Sequence, residues 1–400
     1  MNLKAGYPFS LVRNGLVTEY PKLVEDLQTD IVIMGGGISG ALTAWHLINE
    51  GIDTIVLDAR TIGLGSTCAS TSILQYEIDI PLYKLSRMIG EKKAGRSYQL
   101  CVEAIREMTV LSKQIGFSDM QQKQSLYFAA AKKDVPGLQQ EFEARKKLGL
   151  KVEWLDETEL GEKTGIRSSA AILSADGAQT DAYMFTHALY RHSIQQGLKV
   201  YDRSPVTTID HKARSVELLT QNGYRIKAKK LIYATGYEVV NYIDAPIVDL
   251  RSTYVTISEP LTISKPFWKD EMMIWNTADP YLYMRVVGDR VLIGGRDEDL
   301  YSPAKRDRLI GAKAKKLSAD FKKLFPHIEF IPEFSWTGVF GSTRDGLPFI
   351  GSYKKLANSY FALGFGGNGI VFSQIAARII TDLVSGKKNK DATIFSFDRI

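Results

Sequence analysis

Residues 30–58, DIVIMGGGISGALTAWHLINEGIDTIVLD, decide the fold of this chain. The run DIVIM is short, apolar and rich in branched side chains, as in a buried parallel strand. Gly35, Gly37 and Gly40 follow, and they open a segment whose apolar residues recur at helical spacing. A second apolar run then ends in Asp58. This order of strand, glycine turn, helix, strand and acid predicts a β-α-β unit of about 30 residues.

The spacing of the glycines suits a nucleotide pyrophosphate. Gly35 permits the tight turn, Gly37 lets backbone N–H groups approach the phosphates, and Gly40 lets the helix pack close to the strand. The N-terminus of the helix adds a partial positive charge. Asp58 can accept hydrogen bonds from a ribose, and it would repel a 2′-phosphate. We therefore predict a dinucleotide site on a Rossmann-type domain, with an ordinary glycine turn as the alternative.

The rest of the chain indicates a second domain. The chain has 400 residues with 44% hydrophobic content, which usually divide into more than one domain. Four short runs between residues 250 and 295 have the pattern of an antiparallel sheet. We predict an α/β fold (α+β overall), with a Rossmann-type domain on a parallel sheet and a substrate domain on a mostly antiparallel sheet. The predicted segments are 1–80, 176–248 and 331–400 for the first domain and 81–175 and 249–330 for the second.

Composition excludes several classes of protein. The formal charge of +6 is spread along the chain, so we expect no nucleic-acid partner. Cys68 and Cys101 make no disulfide framework, and no metal-ligand spacing accompanies them, so we expect no metal. No apolar run approaches the roughly 20 residues that span a bilayer, and the start lacks the apolar core of a signal peptide. We expect a cytoplasmic protein that is not integrated in a membrane.

Several other segments carry a resemblance to a known family. They are GLGSTCAS at 63–70, the ATG turn at 234–236, GLPFIG at 346–351 and GFGGNGI at 364–370. With the first 75 residues, these segments resemble the D-amino-acid oxidase family of FAD-dependent oxidoreductases, which includes glycine, sarcosine and gamma-glutamylputrescine oxidases. The resemblance covers nearly the whole chain and implies FAD as the cofactor.

The resemblance also implies which residues surround FAD. The 63–70 segment would wrap the pyrophosphate and flavin, and Val206 would offer its backbone to adenine. The 364–370 segment would begin a helix aimed at the pyrimidine end of the flavin, where backbone N–H groups stabilise negative charge. The predicted cofactor-binding residues are Gly35, Gly37, Ile38, Ser39, Gly40, Asp58, Ala59, Arg60, Gly65, Ser66, Thr67, Ser70, Thr71, Val206, Ala234, Thr235, Gly236, Gly366, Gly367, Asn368, Gly369 and Ile370.

We expect FAD to be bound non-covalently. Some relatives tether the flavin through a histidine in the segment corresponding to 63–70, but this chain has no histidine between His46 and His187. Cys68 lies in that segment, whereas relatives that use a cysteine place it near the carboxyl end. We interpret Cys68 as a small buried residue rather than a reactive one.

The resemblance implies oxidation of the C–N bond of a small amine or amino acid. Hydride would pass to the flavin, the imine would be hydrolysed, and oxygen or a carrier would accept the electrons. Family members that oxidise amino acids usually hold the carboxylate with an arginine ahead of the GLP loop. That position is Phe340 in this chain, which favours an amine without an α-carboxylate. Arg285 and Arg344 could restore a carboxylate site, so an amino acid stays open.

Tyrosines on a predicted strand are candidates for the substrate pocket. Tyr281, Tyr283 and Arg285 alternate, so all three should point to one face. The tyrosines either cage a substrate ammonium or pack on their own sheet.

Acidic residues after the 63–70 segment are further candidates. Gln75, Glu77 and Asp79 alternate in LQYEID, where the carboxylates attract a cationic amine, take its proton or only meet solvent. Trp336 is either a core residue or part of the cage. The residues predicted to act on the substrate are Tyr283, Arg285, Glu77, Trp336 and Arg344.

Two other functions remain open at this level. A dehydrogenase could pass electrons to a quinone or carrier at the membrane, because residues 302–325 have eight basic against two acidic residues, with Leu317, Phe321, Leu324 and Phe325 at helical spacing. A solvated helix face is the alternative for that stretch. The chain could also be a non-catalytic FAD-binding subunit.

Overall fold

The computed structural model describes residues 2–299, 302–363 and 365–399. Five residues of the predicted segments lie outside the described ranges: Met1, Leu300, Tyr301, Gly364 and Ile400. Gly364 is the first glycine of the GFGGNGI segment. The strands of the described chain are β1 (Lys4–Gly6), β2 (Leu27–Met34), β3 (Thr54–Leu57), β4 (Ile73–Gln75), β5 (Gln121–Phe128), β6 (Val152–Asp156), β7 (Ala170–Gln179), β8 (Lys199–Tyr201), β9 (Val206–His211), β10 (Val216–Thr220), β11 (Arg225–Tyr233), β12 (Asp249–Ser258), β13 (Met273–Asn276), β14 (Tyr283–Val287), β15 (Arg290–Glu298), β16 (Pro332–Ser342), β17 (Phe349–Ser352) and β18 (Ser359–Leu363). The α-helices are α1 (Phe9–Asn14), α2 (Ile38–Asn49), α3 (Leu82–Ile89), α4 (Glu91–Gln114), α5 (Val135–Lys147), α6 (Glu157–Thr164), α7 (Ala182–Gln195), α8 (Pro303–Arg308), α9 (Ile310–Leu324) and α10 (Gly369–Val384).

The smaller sheet contains the predicted β-α-β unit. Its order is β17-β18-β11-β2-β3-β8, and β9 and β10 extend it beyond β11. The five strands from β18 to β8 are parallel to one another, and β17 is an antiparallel edge strand. β3 and the second half of β2 are buried, as expected for strands with both faces covered. Helix α2 packs against α7 and α10 beside this sheet.

The larger sheet is mostly antiparallel. Its order is β1-β16-β12-β15-β14-β13-β5-β7-β4, with β6 beside β7. Among the described strands of this sheet, β13 and β5 are the neighbours that run parallel to each other. The four runs at 250–295 form β12, β13, β14 and β15 of this sheet. The structure therefore confirms the predicted combination of a parallel and a mostly antiparallel sheet.

Three strands from segments predicted for the nucleotide-binding domain belong to the larger sheet instead of the smaller one. β1, β4 and β16 lie in segments predicted for the nucleotide-binding domain, but they pair within the larger sheet. The alternation of apolar residues identifies a strand but not its partner, which long-range pairing decides. The division of the chain into two domains at those boundaries stays a prediction.

Helix α9 presents its apolar side to the protein core. Leu317, Phe321 and Phe325 are fully buried in a hydrophobic cluster that includes residues of the larger sheet. The exposed residues of this helix include Lys315, Lys316, Lys322 and Lys323. The structure thus corrects the lipid-docking hypothesis, because the side chains that would enter lipid are already packed. No helix in the described ranges combines the length and the apolar character that crossing a bilayer requires.

Candidate active site

A cavity of about 470 Å³ has walls from both sheets. It lies at the carboxyl ends of β2, β3 and β11, where open α/β sheets usually bind ligands. Segment 65–71 and the loop before α10 line it from one side, and β12, β15 and β16 of the larger sheet line it from the other. The structure brings all the predicted cofactor-binding residues to this cavity except Gly40.

The glycine turn before α2 leaves no space for side chains. Gly35 has a φ of +115°, and a Cβ there would lie 2.3 Å from the carbonyl oxygen of Ala234. A Cβ on Gly40 would lie 2.0 Å from the carbonyl oxygen of Gly35. Gly40 therefore does not face the cavity but lets α2 pack against the turn, as the third glycine of such a motif should. The first turn of α2 lies beside the cavity, where the N–H of Ile38 donates to the hydroxyl of Thr67 at 3.1 Å and the next backbone N–H groups face the N-terminal end of the helix.

Asp58 is held in place by backbone donors. Its Oδ2 accepts a hydrogen bond from the N–H of Gly36 at 2.7 Å, and its Oδ1 accepts one from the N–H of Arg60 at 2.8 Å. Burial raises the pKa of Asp58, whereas these hydrogen bonds lower it. Each carboxylate oxygen can accept about two hydrogen bonds, so capacity remains for ribose hydroxyls. Arg60 is neutralised by a two-contact ion pair with Glu238.

The remaining polar groups of this cavity fit FAD. The hydroxyls of Ser66 and Thr235 are buried in its wall without a partner among the described residues. Such groups suit phosphate and ribose oxygens, because a buried hydroxyl without a hydrogen bond is costly. The N-terminus of α10 lies at the same cavity and has no side-chain cap, since Asn368 donates instead to the carbonyl of Glu77 at 2.6 Å. Two helix N-termini at one cavity, those of α2 and α10, match a pyrophosphate and an electron-rich ring edge.

The end of the cavity formed by the larger sheet is aromatic. The rings of Tyr281 and Tyr283 lie with centroids 5.8 Å apart, and both residues line the cavity. Tyr283 covers Gly294 on the neighbouring strand, where a Cβ would lie 2.4 Å from the ring. The hydroxyls of Tyr283 and Thr253 form a hydrogen bond of 3.1 Å. Phe340 completes this wall with an apolar side chain.

Asp297 is a cavity residue that the sequence analysis missed. Its Oδ1 is buried and has no hydrogen-bond partner among the described residues. Burial raises the pKa of Asp297 to about 6, and the nearby hydroxyl of Thr253 opposes that rise. Arg296 has a φ of 58°, which breaks the alternation of faces along β15. The sequence signal was only the acidic ending GGRDED, whose direction the period of two could not give.

The predicted common face of Gln75, Glu77 and Asp79 is not formed. β4 ends at Gln75, so the alternation of a strand does not continue to the two acids. Gln75 lines the cavity. Asp79 lies beside the loop before α10, where its carboxylate accepts from the N–H of Gly367 at 2.9 Å and from the hydroxyl of Tyr281 at 3.3 Å.

Glu77 belongs to the protein core. Its Oε1 lies 3.2 Å from Nη1 of Arg145, and both side chains are fully buried. Arg145 also pairs with Glu141 at 2.7 Å. Burial raises the pKa of Glu77, and the guanidinium opposes that rise. The predicted contact of Glu77 with the substrate is therefore corrected, because its charge is used in an internal ion-pair cluster.

Three other residues predicted to act on the substrate also lie outside this cavity. Trp336 is 2% exposed and its Nε1 donates to the carbonyl of Ala69 at 2.8 Å, so it is a core residue. Arg344 is exposed on the loop after β16 and does not line the cavity. Arg285 lines a second, smaller cavity, so the expected common site with the two tyrosines is corrected as well. Of the five residues predicted to act on the substrate, Tyr283 is the one that lines this cavity.

The structural role of Trp336 makes a measurable prediction. We expect Trp336→Phe to lower the free energy of unfolding by about 1 kcal/mol, because a buried hydrogen bond is lost. Urea unfolding of the holoprotein measures this change. Trp45→Phe is the matched control, since Nε1 of Trp45 has no partner among the described residues and its removal should change stability less. A large change in the KM for substrate in Trp336→Phe would contradict the core assignment.

Cys68 has the properties expected of an inert residue. Its Sγ donates a weak hydrogen bond to the carbonyl of Gly65 at 3.5 Å. Burial raises the pKa of the Cys68 thiol to about 11, which keeps it protonated and poorly nucleophilic. Cys101 is also buried and free. No cluster of three or more metal-binding side chains occurs in the described part of the chain.

Comparisons with known proteins agree with this geometry. Residues 30–383 match the sequence model of a family described as FAD dependent oxidoreductase. The chain is 25% identical over 389 residues to YhfW of Bacillus subtilis strain 168, provisionally named a Rieske 2Fe-2S iron-sulfur protein, covering 95% of this chain and 73% of YhfW. It is 25% identical over 386 residues to gamma-glutamylputrescine oxidoreductase of Escherichia coli K12, covering 92% and 86%. The crystal structure of glycine oxidase from Geobacillus kaustophilus superposes with a TM-score of 0.77 and 20% identity, covering 94% of this chain and 99% of that one.

Proposed function

Because the chain belongs to the family of FAD-dependent oxidoreductases and is of the amine and amino-acid oxidase type, we propose that it oxidises the C–N bond of a small amine without an α-carboxylate. FAD supplies the two-electron acceptor when it is bound. The chain's own residues must bind the amine, orient it and receive its proton. Those tasks fall to the end of the cavity formed by the larger sheet.

The charge at that end is the observation that supports an amine. Four charged residues line the cavity within the described chain, and Asp58, Arg60 and Glu238 all lie on the side of the smaller sheet. Asp297 is the charged residue on the other side. An ammonium is attracted by this carboxylate and by the faces of Tyr281 and Tyr283. No guanidinium of the described chain lines that end for an α-carboxylate, because Phe340 occupies the predicted position of the arginine and Arg251 pairs with Asp299 outside the cavity.

Asp297 also provides an acceptor for the proton that the substrate ammonium must lose. An ammonium must lose a proton before its α carbon can be oxidised. The Oδ1 of Asp297 has no hydrogen-bond partner among the described residues, so it is available to accept from the ammonium. Thr253 and Tyr283 are joined by a hydrogen bond and hold the polar wall beside that oxygen.

The experiment that tests this proposal is anaerobic absorbance of the purified holoprotein. Propylamine is compared with 2-aminobutyrate, which is the same chain with a carboxylate on the α carbon. We expect propylamine to bleach the flavin and 2-aminobutyrate to leave it oxidised. Bleaching by 2-aminobutyrate alone would contradict the proposal.

The rate at which the reduced flavin is reoxidised after air is admitted then distinguishes the possible electron acceptors. Rapid return of the yellow colour indicates an oxidase. Slow return indicates a dehydrogenase that uses a carrier, as in the alternative function. Retained FAD that no primary amine, secondary amine or amino acid reduces would instead favour the non-catalytic subunit.

A further inference from the structure

A second cavity of about 210 Å³ lies next to the first, and Ser70 lines both. Arg13 and Lys265 are exposed residues of its wall, whereas Arg285 is only 8% exposed. The cavity therefore combines surface cations with a buried one. The proposed oxidation of an amine uses none of these residues.

Arg285 is buried without a full set of partners. Its Nη2 donates to the carbonyl of Thr180 at 3.1 Å. Its Nε is buried and has no hydrogen-bond partner among the described residues. Burial lowers the pKa of Arg285 to about 10, because a guanidinium removed from water is less stable in its charged form. A buried guanidinium with a free donor calls for an anion, and a carboxylate matches its geometry.

The acids of this cavity are mostly engaged elsewhere. Asp181 accepts from the hydroxyl of Ser10 at 2.5 Å and from the N–H of Tyr183 at 3.0 Å at the start of α7. Glu271 forms ion pairs with Lys265 at 3.5 Å and with Lys123 at 3.9 Å, although its buried Oε1 has no hydrogen-bond partner among the described residues. Asp119 remains, and it acts on Arg285 through space. Burial together with the charge of Asp181 raises the pKa of Asp119.

The cavity also holds a free acceptor. Gln179 is 5% exposed, and its Nε2 donates to the side chain of Gln121 at 3.1 Å and to the carbonyl of Val286 at 3.2 Å. Its Oε1 is buried without a partner among the described residues. A ligand that fills this cavity must therefore accept from Arg285 and donate to Gln179. A molecule with both a carboxylate and an ammonium meets both demands.

We propose that this second cavity binds a small amino acid, with its carboxylate on Arg285 and its ammonium on Gln179 and Asp119. A volume of about 210 Å³ suits a ligand of that size. Ser70 places the bound amino acid next to the segment that lines the FAD cavity. The site is distinct from the proposed amine site, because neither Tyr283 nor Asp297 lines it.

The test is binding of ¹³C-labelled glycine to the holoprotein, followed by NMR line broadening under anaerobic conditions. Wild-type protein should bind glycine saturably, and Arg285→Met should weaken binding about tenfold or more, because the charged donor is removed. Arg285→Lys keeps the charge and should weaken binding less. Arg344→Met is the matched control and should leave binding unchanged, since that arginine lines neither cavity.

Several outcomes would overturn the proposal. They are no saturable binding to the wild type, unchanged binding in Arg285→Met, and acetate binding as tightly as glycine. Should Arg285→Met fail to fold by circular dichroism, Gln179→Leu replaces it, with weakened binding expected and unchanged binding as the contradiction. Loss of glycine binding in Asp297→Asn with retention in Arg285→Met would place glycine in the first cavity. That result would overturn the second site and contradict the amine proposal as well, whereas bleaching by 2-aminobutyrate alone contradicts only the latter.

Discussion

A protein that carries both Gly37→Val and Gly40→Val should be purified colourless. A Cβ on Gly37 would lie 2.8 Å from the hydroxyl of Thr67, and the valine methyl groups would extend into the cavity. A Cβ on Gly40 would meet the carbonyl oxygen of Gly35 at 2.0 Å, so α2 would be pushed from the turn. The pyrophosphate would lose both its space and its backbone donors. We expect FAD content, measured as flavin absorbance per mole of protein, to fall nearly to zero.

The control for this prediction is a pair of valines at glycines that lie in open space. Gly161 and Gly311 are helical, and a Cβ at either would have no atom within 4 Å apart from the backbone of its own helix. Their double variant should stay yellow. Gly37→Val alone separates loss of the site from loss of the fold, because its Cβ meets a single side-chain oxygen. Full retention of FAD by that folded single variant would refute the position assigned to the pyrophosphate.

Asp297→Asn should lower kcat/KM for propylamine roughly 10- to 100-fold. A hydrogen bond between charged groups contributes about 1.5–3 kcal/mol, and the asparagine keeps the shape of the side chain while losing its charge. FAD content should not change, because Asp297 belongs to the larger sheet and the predicted FAD residues lie at the smaller sheet and its adjoining loops. Asp299→Asn is the matched control, since Asp299 pairs with Arg251 and its side chain is 82% exposed.

The pH profile adds a second measurement to this variant. Burial raises the pKa of Asp297 to about 6, so the carboxylate forms only as the pH rises through that value. The kcat/KM of the wild type should therefore increase across this window, and Asp297→Asn should lack the step. A step that persists in the variant would assign the titration to another group.

The nucleotide site could be predicted from sequence because its parts are local. The glycine turn, α2 and Asp58 lie within residues 30–58, and hydrogen bonds from Gly36 and Arg60 hold the acid where the motif requires it. The strand runs of the larger sheet were also readable from their period and their turns. Local patterns of this kind depend on neighbours in the chain, which a sequence displays directly.

The substrate end could not be predicted in the same way. Glu77 leaves the cavity because Arg145, distant in sequence, neutralises it in the core. Asp297 enters the cavity because the backbone turns at Arg296. Tyr283 and Arg285 share a strand but line different cavities, which the alternation of faces does not distinguish. Each of these outcomes depends on contacts between distant segments or on a local break in regular geometry.

The position of β18 determines when the cofactor can be captured during synthesis. β18 pairs with β11 in the interior of the smaller sheet, and α10 begins a few residues after it. The ribosome makes β18 and α10 after β2, β3 and β11, so a nascent chain that lacks them has an open sheet edge and an incomplete cavity. We therefore expect FAD to join this protein only after β18 and the start of α10 have left the ribosomal exit tunnel.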